Sequence, residues 1–126
     1  ISSHLADHRA EIDEAFGHET VEAIRDALAA MPGAWAGKLL ADFATRSPLA
    51  MKTTLAAIRR ARALTSLEEA LAVEFRLCTN MFEHGEFIEG VRALLVDKDK
   101  NPKWNPARLE DVTPAMVERM FAEVEG

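Results

Sequence analysis

The chain has 126 residues, enough for one domain, with 48% hydrophobic and 29% charged residues, as in an ordinary globular protein. A net charge of −6 disfavours a general nucleic-acid role, and no apolar run approaches the roughly 20 residues of a membrane span. One cysteine, Cys78, excludes an internal disulfide and fits a reducing compartment.

Alanine-rich, glycine-poor sequence without tyrosine favours helices over strands. Ser2 or Ser3 can cap a first helix through about Phe16, with Leu5, Ile12 and Phe16 inward. Glu19 or Thr20 opens a second, striped by Val21, Ile24 and Leu28 and ended by Met31-Pro32-Gly33. A third runs from about Trp35 to Thr45. Ser47-Pro48 is a cap followed by proline at the first helical position, opening a fourth helix to about Ala63. Ser66 with Glu69 forms a capping box for the longest helix, Leu67 to about His84. Leu67, Leu71, Phe75, Cys78 and Phe82 trace its apolar face, and Gly85 stops it. A sixth helix carries Phe87, Val91, Leu94 and Leu95 on one face, with Glu89 and Arg92 off it. Asn105-Pro106 can seed a short turn, and Thr113-Pro114 opens a last helix. No alternating strand pattern occurs. The expectation is an all-α fold of six or seven short helices forming a single helical domain, 1–126.

Several residues are of types that can carry chemistry. His4 and His8 stand one helical turn apart with Asp7 between them, but no third zinc ligand is near. Asp97, Asp99 and Asn101 alternate as in a calcium loop, yet the required glycine is Pro102 and the required glutamate is Arg108. Cys78, mid-helix on the apolar stripe, reads as core rather than nucleophile. Ser47, Ser66 and Thr113 read as caps. Positive charge gathers in the middle of the chain. Residues 47–67 contain no acid and hold Lys52, Arg59, Arg60 and Arg62, whereas residues 1–31 hold seven acids against two bases. Arg59, Arg60 and Arg62 suit either a solvated face or an anion contact. After the sixth helix, Lys98, Lys100 and Lys103 follow on a short charged loop closed by Pro102 and Trp104. That arrangement suits an anion held at a rim, and equally an exposed elbow between helices.

The run Glu-Gly-Val-Arg-Ala-Leu-Leu-Val-Asp-Lys-Asp-Lys-Asn-Pro-Lys-Trp-Asn-Pro, 89–106, resembles the C-terminal signature of the 3-hydroxyisobutyryl-CoA hydrolases, a branch of the crotonase (enoyl-CoA hydratase/isomerase) superfamily. Ser47-Pro48-Leu49-Ala50-Met51-Lys52 and Glu74-Phe75-Arg76-Leu77 resemble the same family at the expected spacing. The resemblance implies an enzyme that cleaves an acyl-CoA thioester in valine breakdown. It also implies that the oxyanion-hole amides and catalytic carboxylates belong to an N-terminal domain of β-β-α turns that nothing here matches. The chain opens on Ile1 and is therefore expected to be the C-terminal part of a larger enzyme, partnered by that core. No catalytic residue, metal or resident cofactor is expected in it. Lys98, Lys100 and Lys103 become candidates for the nucleotide end of CoA. Trp35, Phe43, Leu94 and Leu95 are the expected apolar surface toward the missing part, with self-association as a consequence. A sibling hydratase or isomerase, or a stand-alone helical interaction module, are the alternatives.

Overall fold

The computed structural model describes residues 4–124. Among them are eight α-helices and no strand: α1 (His4–Asp7), α2 (Arg9–Phe16), α3 (Val21–Ala30), α4 (Ala34–Thr45), α5 (Pro48–Ala61), α6 (Leu67–His84), α7 (Phe87–Val91) and α8 (Pro114–Met120). The all-α expectation is met, and the extra helix arises because the first predicted one breaks at His8. The proposed caps Ser2 and Ser3 lie outside the described residues. The chain divides into two compact units, 1–46 and 47–126.

In the first unit, α3 packs on α2 and α4. Thr20 caps α3, its hydroxyl accepting from the Ala23 N–H at 3.1 Å. Val21, Ile24 and Leu28 are buried, as their spacing predicts, together with Ala15 and Ala36. Leu5 and Phe16 are exposed instead of inward, because the small Ala15 takes the buried place on α2. Trp35 and Phe43 are less open than Leu94 and Leu95. Both are half-buried. Trp35 stacks on His8 with ring centroids 5.0 Å apart, and Phe43 meets Phe16 edge-on at 6.4 Å. Each is thus partly covered within the first unit.

In the second unit, α5 and α6 both pack on α8. The three expected caps are made: Ser47 accepts from Ala50 N–H at 3.1 Å, Ser66 from Glu69 N–H at 3.1 Å and Thr113 from Met116 N–H at 3.2 Å. Glu69 reaches back to the Thr65 N–H at 2.8 Å, satisfying a donor that the helix itself cannot pair. Gly85 ends α6 where a Cβ would meet the Met81 carbonyl oxygen at 2.8 Å, so no larger residue fits that turn. Leu49, Val112 and Met120 form the core, with Leu77, Met81, Val117 and Phe121 packed against it. Asn80 is buried among them, and its amide donates to the carbonyls of Met120 and Ala122 at 3.1 and 2.9 Å. One polar side chain thus ties α6 to the end of α8.

The face of α6 that meets this core is therefore Leu77, Asn80 and Met81. The stripe expected to face inward points out. Leu71 and Phe75 are 58% and 61% exposed, and Leu67, Cys78 and Phe82 are exposed with them. Cys78 is thus a surface thiol rather than a core residue. The stripe continues past Gly85, where the Phe82 and Phe87 rings lie 5.9 Å apart. Phe87 and Ile88 extend it, and Leu94 and Leu95 are 59% and 63% exposed, as expected of them.

Candidate functional site

The sixth predicted helix runs as α7 and then widens into a π turn, Arg92–Val96, in which the Asp97 N–H donates to the Arg92 carbonyl at 2.8 Å. The next residues fold back rather than away. The Lys100 N–H donates to the Ala93 carbonyl at 2.9 Å. Lys98 and Lys100 both adopt left-handed backbone, with φ of 56° and 53°. Side chains other than glycine, asparagine and aspartate rarely enter that region, so the surrounding contacts must hold it.

Those contacts centre on Arg92. Its Nε and Nη2 donate to the two oxygens of Glu89 at 2.6 and 2.7 Å. Nη1 donates to Asp97 Oδ2 at 2.7 Å and Asp99 Oδ2 at 2.8 Å, and Nη2 also reaches the Asn101 carbonyl at 3.4 Å. The paired fork on Glu89 is the geometry in which guanidinium and carboxylate match best. Glu89 in turn accepts the Lys103 N–H at 2.5 Å, and Asp99 accepts the Asn101 N–H at 2.9 Å. One turn earlier, buried Glu86 accepts the Asn105 N–H at 2.8 Å. Two carboxylates, one just before α7 and one within it, therefore hold the backbone on either side of Trp104. The indole lies against Gly90, where an added Cβ would sit 3.4 Å from it.

The charges follow from this. The hydrogen bonds from Arg92, then that from Lys103, hold Glu89 down to about 2. Asp99 is held below its ordinary value by Arg92 and then by the Asn101 N–H. Arg92 is raised further by Glu89, Asp99 and Asp97. Glu86 moves the other way, pushed up by burial against the pull of the Asn105 N–H, with the nearby charge of Glu89 adding to the push.

The three lysines named from sequence lie on this one loop and are exposed. Lys98 and Lys100 enter none of the Arg92 ion pairs. Asp97 and Asp99, interleaved with the lysines in sequence, accept from Arg92. The same engagement removes both carboxylates from any calcium-loop reading. Sequence reasoning missed Arg92. Its signal was the spacing of acids three before and five and seven after one arginine.

The other basic cluster separates. Arg60 lies 3.8 Å over the Phe121 ring and pairs with Glu118, clasping α5 to α8. Arg59 and Arg62 are exposed. Lys52 donates to the Val112 carbonyl at 3.2 Å. His8 sits at the break between α1 and α2, and the His4 side chain lies outside the described residues.

A family model described as enoyl-CoA hydratase/isomerase matches residues 2–121. The chain is similar to a probable 3-hydroxyisobutyryl-CoA hydrolase 2 of Arabidopsis thaliana, 38% identical over 99% of this chain and 35% of the relative. It is 43% identical to a small ribosomal subunit protein, mS47, of the same plant, over 90% of this chain and 30% of that one. Among solved structures, a carnitinyl-CoA dehydratase from Mycobacterium thermoresistibile superposes with a TM-score of 0.91 at 43% identity, covering 99% of this chain and 36% of that one. The chain spans about a third of the length of the relatives it matches.

Proposed function

The chain belongs to the enoyl-CoA hydratase/isomerase family, and on that premise we propose that it is the helical C-terminal part of an acyl-CoA thioester hydrolase of the 3-hydroxyisobutyryl-CoA hydrolase kind. Its α6–α7 face packs on the rest of the enzyme, and its 97–103 loop meets the nucleotide end of the acyl-CoA through Lys98, Lys100 and Lys103. The observation that carries this is the second apolar face of α6. A helix with one apolar face on α8 and another open to water is built to lie between two bodies. Leu67, Leu71, Phe75, Phe82, Phe87, Ile88, Leu94 and Leu95 together expose on the order of 900 Å² of side chain, above the roughly 300–600 Å² patch of a typical monomer. That is close to the ~800 Å² each partner contributes to a standard interface.

The thioester chemistry is then done by the other two thirds: amides that polarise the carbonyl, and carboxylates that activate water or attack. The chain alone should release no thiol from 3-hydroxyisobutyryl-CoA. Combined with the part of the Arabidopsis thaliana hydrolase that lies outside the match, it should support release of free CoA thiol. Turnover by the chain alone, or hydration of an enoyl-CoA without thiol release by the combination, would overturn the hydrolase reading. The likeness to a dehydratase favours that sibling chemistry as the second reading. The likeness to a ribosomal protein favours a helical interaction module, for which neither reaction would appear.

A further inference from the structure

We infer that Arg92 is the positioning residue of the 97–103 loop, latching it so that Lys98 and Lys100 are presented as a preformed pair to a phosphate-type anion. The naming of that anion as the nucleotide end of a CoA rests on the reading above; the latch rests on geometry alone.

The loop has the composition of an unstructured elbow, Asp-Lys-Asp-Lys-Asn-Pro-Lys over 97–103. Left to itself such a segment samples many conformations, and lysine disfavours left-handed backbone. Here two lysines adopt it, at φ of 56° and 53°. Backbone of that kind persists where neighbours over-determine it. The over-determination comes through one guanidinium, which donates to Asp97 at 2.7 Å, to Asp99 at 2.8 Å and to the Asn101 carbonyl at 3.4 Å while Glu89 fixes its plane. Glu89 then closes the far end on the Lys103 N–H.

The alternation does the sorting. In Asp-Lys-Asp-Lys the acids, themselves about half exposed, have their charge paired by Arg92, and the exposed lysines stay outside its ion pairs. In a loop of nearly balanced composition, the acids are thereby neutralised by Arg92 and the charge left over is that of the lysines. Ordering that edge before an anion arrives removes a cost that binding would otherwise carry. Arg92 touches no anion in this scheme; it acts through the loop. Lysine cannot replace it, because a single ammonium on a flexible stem lacks the planar fork that meets several carboxylates at fixed angles.

The test compares the 126-residue chain with Arg92→Lys and Arg92→Met. Amide hydrogen exchange is read by NMR at Asn101 and Lys103, with α6 amides as internal reference. Adenosine 3′,5′-bisphosphate is titrated against the Lys98 and Lys100 side-chain resonances. Both variants should exchange at least tenfold faster at Asn101 and Lys103, with α6 unchanged, and should bind the bisphosphate severalfold more weakly than the parent. Arg92→Lys keeps the charge, so it separates position from electrostatics and also serves if Arg92→Met does not fold. Parent-like exchange in Arg92→Lys, with parent-like affinity, would overturn the latch and leave only charge. If both variants lose protection but the parent itself shows no bisphosphate shift, the latch stands. The anion role inferred for the lysines and the acyl-CoA reading of the loop would then both fall.

Discussion

Replacing Leu71 and Phe75 together by aspartate separates a face meant for water from a face meant for a partner. The two side chains are 58% and 61% exposed, so little packing inside the chain depends on them. The chain's own unfolding free energy should change by no more than about 0.5 kcal/mol, the usual range for surface positions. Docking is another matter. A phenylalanine has about 200 Å² to bury, so covering the exposed part of Phe75 removes ~120 Å² from water, and Leu71 adds ~100 Å². At ~25 cal/mol per Å² the pair contributes at most roughly 5.5 kcal/mol to association, a factor approaching about ten thousand in dissociation constant. Aspartate in place of either would further cost the burial of an unpaired charge. Urea unfolding of parent and variant gives the first number. Titration calorimetry against the unmatched part of the Arabidopsis thaliana hydrolase gives the second. A loss of more than about 2 kcal/mol in the chain's own stability would mean the stripe is interior. Undiminished affinity would mean that the partner sits elsewhere. Either result refutes the reasoning.

Asn80→Leu fills the same space but leaves the Met120 and Ala122 carbonyls without their donor, and should destabilise the second unit by about 2 kcal/mol in urea unfolding. Glu89 is held near 2 in the folded chain against an ordinary 4.5, so its contribution is complete above about pH 4.5 and is lost as pH falls toward about 2. Carbon-detected NMR titration of Glu89 should place its midpoint well below 4.5, and a midpoint at the ordinary value would remove Arg92 from its role. Glu86 carries the opposite sign: its pKa is raised by burial, so its contribution to stability falls as pH rises above 4.5. In the combined enzyme, changing Lys98, Lys100 and Lys103 together to alanine should raise KM for acyl-CoA severalfold with kcat nearly constant. The effect should weaken with salt and vanish for a pantetheine thioester that lacks the nucleotide.

Much of the second unit was legible because its signals are local. Ser47-Pro48, Ser66 with Glu69, and Thr113-Pro114 each place a hydroxyl three residues before the N–H it accepts, and all three helices begin there. Gly85 stopped α6 where expected because its turn tolerates no Cβ. What period alone could not tell was which of two faces α6 would use within the chain. The larger stripe, Leu67 through Phe82, had the stronger pattern, yet the chain buries Leu77, Asn80 and Met81. Asn80 is buried because of carbonyls 40 and 42 residues away, and no local signal carries that. The partial cover of Trp35 and Phe43 is hidden for the same reason: their partners His8 and Phe16 lie about 27 residues upstream, beyond helical periodicity. At the candidate site the lysines were visible as a cluster of like charge. Arg92 was not, because an arginine off the apolar face reads as solvated until its four acceptors are placed around it.

Cys78 offers the most direct measurement. It is the single cysteine of the chain, it is exposed, and it stands one turn from Phe75 and Phe82 on the face proposed to dock. Its rate of alkylation can be followed at peptide level by mass spectrometry. It is measured first in the chain alone and then after saturation with the unmatched part of the Arabidopsis thaliana hydrolase. The account predicts rapid alkylation of the chain alone and a slowing of at least tenfold in the complex. Equal rates in a complex shown to have formed would contradict it.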